Sequence, residues 1–325
     1  MEKINTGKKY PLSLRYDEPM SLHTTFKVGG MADVWVRPGK EAFPGYAARL
    51  LAAAGKEGIP VFVLGAGANI VVSDRGIRGI VLDTGAFRGI GKREARYPSS
   101  EPIAEVPSPG RGSSLFSISV LSGTSVDGLT ARLAVRGLSG LEFLSGMPGS
   151  VGGAVWMNAR CYEKSVSDVL IETEFLDENC QRQKIRSSTE DFGYKKSPFQ
   201  GRQTLILSAR FAVQFREEAD IYSEMASYRK DRTDKGHYRF PSAGSAFRNN
   251  HDFGAPTGKI IDQAGLRGLS IGGAQVAPWH GNIIINTGDA TASDIRRLVD
   301  EVARQVKEAR GFELETEILF VGEWG

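Results

Sequence analysis

The placement of glycine most constrains what this chain can fold into. Ile59 to Leu64 reads as a short apolar strand, Gly65-Ala66-Gly67-Ala68-Asn69 interrupts it, and Ile70-Val71-Val72 resumes the apolar run. Ser73-Asp74-Arg75-Gly76 then reads as a turn and Gly79 to Asp83 as another strand. This order leaves no room for a helix after the glycines. A Rossmann fingerprint is excluded, because its third glycine would fall on Ile70 and β-branched residues stand where the phosphate-binding helix should begin. Glycine admits positive φ and lets backbone N–H groups close on phosphate oxygens. The loop therefore suits a phosphate cradle, and a plain tight turn fits it equally. A second loop, Gly146-Met147-Pro148-Gly149-Ser150-Val151-Gly152-Gly153, holds four glycines in eight residues, more than a turn needs. With the first it suggests two backbone surfaces closing on one diphosphate. Gly29-Gly30, after Thr24-Thr25-Phe26-Lys27-Val28, is a third cluster that alone would pass as a bulge.

Glycine supplies 39 of 325 residues, or 12%, against an average of about 7%. The 41% hydrophobic and 24% charged fractions are those of a globular chain with room for two or three domains, which excludes disordered, collagen-like and coiled-coil readings. A net charge of +3 is too small to argue for nucleic acid. The opening stretch lacks an apolar core and no window reaches the ~20 apolar residues of a membrane span, so the expected location is cytoplasmic. Cys161 and Cys180, with His23, His237, His251 and His280 widely spread, offer neither a disulfide scaffold nor a metal site.

The pattern predicts a helix over residues 41–56 with Tyr46, Leu50, Leu51 and Ala54 on one face, and a helix over 125–137 with Val126, Leu129, Leu133 and Ala134 inward. Residues 92–114, with four prolines, read as a surface excursion. Strands are expected within 168–189 and over Leu205 to Phe215, followed by a helix from residue 217. The clearest element is the last helix, which Ser293 can cap, with Ile295, Leu298, Val299, Val302 and Val306 as its stripe and Gly311 as its end. Phe312 to Val321 then reads as a strand that sets Glu313, Glu315 and Glu317 on one face. Residues 228–239 carry five Lys or Arg against two Asp. A site for phosphates or a solvated face explains that run better than nucleic acid.

TTFKVGG at 24–30, LGAGAN at 64–69, GLEFLSGMPGSVGGAVWMNA at 140–159, PSAGSAFRN at 241–249, the run from Gly258 to Asn282 and LETEILFVG at 314–322 stand in the order of a known family. The chain resembles the UDP-N-acetylenolpyruvoylglucosamine reductases over about residues 20–322. The resemblance implies an α+β chain: a vanillyl-alcohol-oxidase (PCMH)-type FAD-binding module of two subdomains, about 1–85 and 86–215, then an α+β substrate-binding domain over 216–325. It implies FAD as cofactor, NADPH as reductant, UDP-N-acetylglucosamine enolpyruvate as substrate, no nucleic-acid or membrane partner, and a monomer. FAD is expected against Val28, Gly29, Gly30, Leu64, Gly65, Ala66, Gly67, Ala68 and Asn69, and against Gly146, Pro148, Gly149, Ser150, Gly152, Gly153 and Asn158. Ser245 falls on the family's proton donor, with Arg248 or Lys259 expected near it, and Glu317 on its catalytic glutamate, at the border where the strand's charged face turns apolar. Tyr194, Asn249, Lys259 and His280 are the expected substrate contacts; a structural role for His280 remains equally open. The family's carboxylate-binding arginine is Lys195 here, which keeps the charge and loses the bidentate fork. Gly236-His237 replaces a Gln-Pro step, and the short 215–240 interval suggests the subgroup without a tyrosine-bearing flap. Two other readings remain on this fold: a flavin oxidase of alcohols or sugars, and a nucleotide-sugar-binding protein whose Lys195 marks lost chemistry.

Overall fold

A computed structural model of the chain describes residues 12–94 and 115–325. Most of the 92–114 excursion therefore lies outside the described residues. The described residues divide into two compact units: 12–14, Val36–Ala66, 82–94 and 115–230 form the first, and Arg15–Trp35, Gly67–Val81 and Asp231–Gly325 the second. A four-stranded sheet runs Leu12–Pro19, Met31–Pro38, Ile77–Asp83, Val61–Leu64.

The first unit is built on an antiparallel sheet in the order Arg182–Arg186, Leu170–Leu176, Leu205–Phe215, Leu115–Leu121, Ile90–Glu94, with Leu138–Ser139 beside the end of the central strand. Leu205–Phe215 is buried along nearly its whole length. Apart from Ser208, Arg210 and Gln214 its residues are apolar, and apolar residues fall at both odd and even positions, as in a strand covered on both faces. Helix α1 (Phe43–Lys56) buries Phe43, Ala47 and Ala54, with Phe43 stacked on Phe87 at 4.5 Å. Tyr46 is only half-buried. Starting the stripe at Phe43 rotates it by one position from the expected face. Helix α2 (Val126–Ala134) buries Val126, Leu129, Leu133 and Ala134 as expected, and the hydroxyl of its N-cap Ser125 accepts from Gly128 N–H. A short helix α3 (Val151–Trp156) was not foreseen; Ser150 caps it, so Gly152 and Gly153 sit in its first turn. Helix α4 (Glu218–Asp234) fills most of the 215–240 interval and packs Ile221 and Met225 on Ala134.

In the second unit α5 (Thr257–Gln263) and α6 (Ala292–Arg310) enclose one core with the antiparallel strands Ser270–Ile271, Ala274–Val276 and Ile284–Asn286. The α6 stripe is as read, with Ile295, Leu298, Val299, Val302 and Val306 at 0 or 1% exposure. Its cap is Thr291, not Ser293: Thr291 and Asp294 form a capping box, and Ser293, inside the first turn, donates its N–H and hydroxyl to Asp74. Gly311, at φ 73°, closes the helix. Only Leu319–Val321 of the expected terminal strand is regular, paired in parallel with Ile70–Val72. Residues 312–318 meet the 246–248 segment through the single bridge Phe247–Thr316 and bonds from Arg248 N–H to Glu315 O and from Glu317 N–H to Ala246 O. Glu313 and Glu315 are exposed and Glu317 is half-buried, so the foreseen contrast survives without the regular strand.

Leu298→Ala, a void in the α6 core, should lower stability by about 3 kcal/mol in urea titration. Arg304→Ala, on the exposed face of the same helix, should move the midpoint far less; equal shifts would show that α6 is not the keystone of this core.

Candidate active site

The 65–69 loop owes its shape to two close approaches. A Cβ on Gly65 would lie 2.5 Å from Ser150 Oγ, and one on Gly67, at φ +63°, would lie 2.0 Å from the carbonyl oxygen of His23. Only glycine tolerates both the left-handed backbone and such contact. Thr25 N–H donates to Gly67 O at 3.0 Å, while the N–H groups of Ala66, Gly67 and Ala68 donate to no described residue. Successive open N–H groups around a left-handed residue form an anion-binding concavity.

The 146–153 loop divides its work. Asp127 Oδ1 accepts from Gly146 N–H at 2.7 Å and also pairs with Arg229 of α4 at 2.5 Å. Val151 N–H donates to Thr124 O, Gly152 N–H to Ser122 O, and Gly153 N–H to Ser150 Oγ. A Cβ on Gly152 would meet that of Ser122 at 2.9 Å. The backbone donors left open among the described residues are those of Gly149, at φ +147°, and Ser150. The hydroxyls of Ser122, packed on Gly152, and of Ser145, directly before the loop, are buried at 1% and 0% exposure without a hydrogen-bond partner among the described residues. Open N–H groups on a glycine turn and orphaned hydroxyls beside it are what the phosphate-bearing part of FAD requires, so the residues present fit that cofactor. Gly29 and Gly30 serve packing: their Cβ positions would fall 2.8 Å from Val72 Cβ and 2.1 Å from Asp74 O. Val28 is buried and its carbonyl accepts from Thr24 Oγ1.

Asn69 and Asn158 are both engaged with the protein. Asn69 Nδ2 donates to Glu317 O at 3.0 Å and its carbonyl accepts from Leu319 N–H, so the glycine loop sets the height of the Glu317 backbone. Asn158 donates to Gly193 O at 2.8 Å, behind the turn that carries Tyr194 and Lys195. Tyr194 is 41% exposed, with the Arg160 guanidinium 5.9 Å from its ring centre, and Lys195 stands at φ +56°.

Ser245, Asn249, Lys259 and His280 line one pocket of about 290 Å³ in the second unit. The structure thus brings together four residues taken from two separate motifs. Asp262, Arg267, Trp279 and Asn282 line it too and were not among the expected contacts. Asn282 fixes the serine segment: its Oδ1 accepts from Phe247 N–H, its Nδ2 donates to Phe247 O and its carbonyl accepts from Ala246 N–H, all at 2.8–2.9 Å. Ala246 O in turn accepts from Glu317 N–H, so Ser245 and Glu317 lie on directly bonded segments. Arg248 pairs with Glu315 at 3.0 Å, which leaves Lys259 as the expected cation that lines the pocket with Ser245. Arg239 and Phe240 flank the Trp279 ring, and Gly236, at φ +72°, would place a Cβ 2.2 Å from its indole nitrogen. Of the basic run at 228–239, Arg229 pairs with Asp127, Lys235 with Asp231 and Arg239 lies on Trp279.

Burial, reinforced by Arg232, His280 and Lys235, pulls the His237 imidazole down to about 4. Burial, with Lys235 and Arg267, lowers His280 as well. Both rings are neutral at pH 7, and His280 Nδ1 accepts from Asn282 N–H, which leaves Nε2 as the donor. An unfolded histidine takes up its proton near pH 6.5, the folded His237 only near 4, so between these values the unfolded chain binds more protons. Stability should be full above pH ~6.5 and fall as pH drops towards 4, and His237→Asn should flatten that slope in urea titrations at pH 7.5 and 5. Gly67→Ala should lower the flavin content of the purified protein sharply, whereas Gly45→Ala, in the open helix α1, should leave it unchanged.

Residues 44–185 match a family described as an FAD binding domain, and residues 236–321 match the C-terminal domain of UDP-N-acetylenolpyruvoylglucosamine reductase. The UDP-N-acetylenolpyruvoylglucosamine reductase of Treponema denticola is 38% identical, covering 96% of this chain and 95% of its own. That of Bacillus subtilis is 34% identical, covering 94% and 93%. The crystal structure of the Thermus caldophilus UDP-N-acetylenolpyruvylglucosamine reductase superposes with a TM-score of 0.72 at 29% identity, covering 96% of this chain and 100% of that one. With an FAD-binding domain followed by the reductase's own C-terminal domain, and identities of this order over nearly the whole length, the chain is an FAD-dependent oxidoreductase and belongs to the UDP-N-acetylenolpyruvoylglucosamine reductase family.

Proposed function

We propose that this protein reduces UDP-N-acetylglucosamine enolpyruvate to UDP-N-acetylmuramate with NADPH, a cytoplasmic step of peptidoglycan synthesis, using residues 1–215 for FAD and 216–325 for the UDP-sugar. FAD, when bound, relays a hydride from NADPH to the enolpyruvyl double bond. The reading is carried by one observation: Ser245 lines a polar pocket with Asn249, Lys259 and His280 while its segment is bonded to that of Glu317.

Hydride addition to one carbon of the double bond leaves negative charge spread over the neighbouring carbon and the carboxylate, and one proton completes the reduction. Ser245 gives that proton and regains it from solvent. A hydroxyl is a weak acid, so the developing charge must be stabilised as the proton moves. Lys259 serves this beside Ser245, Glu317 polarises the enol, and Lys195 takes the carboxylate. Asn249 and the neutral His280 bind polar groups of the UDP-sugar. Tyr194, on the turn beside Lys195, offers an exposed ring and hydroxyl to the same substrate. A tight, hydrogen-bonded backbone at Ser245, held by Asn282, is the preorganisation such a donor needs.

Anaerobic NADPH should bleach the bound flavin, and the enolpyruvyl UDP-sugar should restore its oxidised spectrum; bleaching without recovery would sink the assigned substrate. Ser245→Ala should slow the recovery by roughly 10²–10⁴-fold while reduction by NADPH stays within a factor of two. Lys195→Ala should slow it by about 10²-fold, and Lys195→Arg should support it at least as well as the natural lysine.

A further inference from the structure

Asn158 is 2% exposed, stands in the left-handed region at φ +41°, and has both ends of its amide engaged. Its Oδ1 accepts from Ser167 N–H at 3.0 Å and its Nδ2 donates to Gly193 O at 2.8 Å. Gly193 opens the two-residue turn Tyr194-Lys195, which reciprocal 3.1 Å backbone bonds between Gly193 and Lys196 close. Gln200 Nε2 donates to Lys195 O at 3.1 Å and to Trp156 O at 2.9 Å, and Ser197 Oγ donates to Trp156 O at 2.6 Å. Trp156 ends α3, and α3 begins directly after Ser150 of the second glycine loop. The backbone that presents Lys195 is thus tied by three side chains to the helix that starts at the expected cofactor loop, all within the first unit.

This matters because of what a lysine lacks. An arginine fork fixes its own angle to a carboxylate through two parallel bonds; an ammonium is a point charge on a flexible stem and has no such angle. The precision a fork would supply must here come from where the backbone puts the Cα. A buried asparagine with no free polar atom, gripping the carbonyl one residue before the turn, supplies that precision. We propose that Asn158 is a positioning residue for substrate: it holds the Tyr194-Lys195 turn so that the Lys195 ammonium meets the substrate carboxylate, with Gln200 as the second tie. The inference rests on the role given to Lys195 above.

The test compares two ligands of the oxidised holoenzyme by calorimetry. UDP-N-acetylmuramate carries the carboxylate and UDP-N-acetylglucosamine does not. Asn158→Asp keeps the size and the acceptor for Ser167 but sets an oxygen against Gly193 O; Gln200→Met removes the second tie without adding charge and serves alone if the first variant fails to fold. Each should weaken binding of UDP-N-acetylmuramate by about 10-fold and slow flavin reoxidation by the enolpyruvyl sugar by roughly 10- to 100-fold. Binding of UDP-N-acetylglucosamine, flavin content and reduction by NADPH should stay within a factor of two. In a Lys195→Ala background the same substitutions should add almost nothing, because their effect passes through the missing ammonium. Equal weakening of both UDP-sugars, lost flavin, slowed reduction by NADPH, or full additivity with Lys195→Ala would overturn the proposal. If Lys195→Ala itself leaves carboxylate binding and reoxidation unchanged, the reading of Lys195 falls and takes this one with it. If Lys195→Ala shows the loss and the two tie variants do not, the positioning role alone is wrong.

Discussion

Backbone packed directly on backbone, at distances that leave no room for a Cβ, is the constraint on which the second unit depends. A Cβ on Gly30 would sit 2.1 Å from Asp74 O, on Gly76 1.8 Å from Met31 O, on Gly67 2.0 Å from His23 O and on Gly322 2.3 Å from Gly76 O. Three stretches far apart in sequence, 23–31, 67–76 and the one at 322, are drawn together by these four approaches, and no side chain mediates them. Such contacts are short because peptide groups bond each other there: Gly30 N–H donates to Ser73 O, Met20 N–H to Gly30 O, and Glu323 N–H to Gly76 O. A glycine in this role is chosen by exclusion, since every other residue would push two chains apart by more than an ångström.

The same economy of distance organises the chemistry. Asn69, at the end of the first glycine loop, holds the carbonyl of Glu317, while Glu317 N–H is held by Ala246, the residue after Ser245. The glycine loop, Glu317 and the Ser245 segment are therefore registered through the Asn69 side chain and the backbone of Glu317 and Ala246. Asp74 extends the arrangement by accepting from the first turn of α6, whose stripe fills the core beneath. Asn69 thus ties the glycine loop to the Glu317 backbone and Asp74 ties the following turn to α6, which is how a glycine-rich segment acquires rigidity.

Elements with strong periodicity were legible in the sequence for physical reasons. The α6 stripe and the Leu205–Phe215 run announce their burial because the same residues carry both the pattern and the core. What escaped depended on partners elsewhere. Helix α3 carries Gly152 and Gly153 in its first turn, which propensity disfavours, and exists because Ser150 caps it and Ser122 and Thr124 accept its leading N–H groups. Ser293 reads as the cap of α6 in the sequence, whereas Thr291 forms a capping box with Asp294 and Ser293 bonds Asp74, more than two hundred residues away, a partner that local sequence does not announce. Residues 312–318 alternate as a strand would, yet their neighbour is the serine segment, which offers a few bonds and no ladder. The pocket residues Ser245, Asn249, Lys259 and His280 were found through motif resemblance; Asn282 stood at the end of the same run, but its bonds to Phe247 and Ala246 join segments 35 residues apart and could not be read locally.

The indole nitrogen of Trp279 occupies the space where a β-carbon at position 236 would stand, 2.2 Å away. The absence of a side chain at one position is therefore what holds the rotamer at another: any residue placed at 236 has to turn the indole, and the indole also lines the pocket that holds Ser245 and Lys259. Glycine here acts at a distance, shaping a cavity wall to which it contributes no atom.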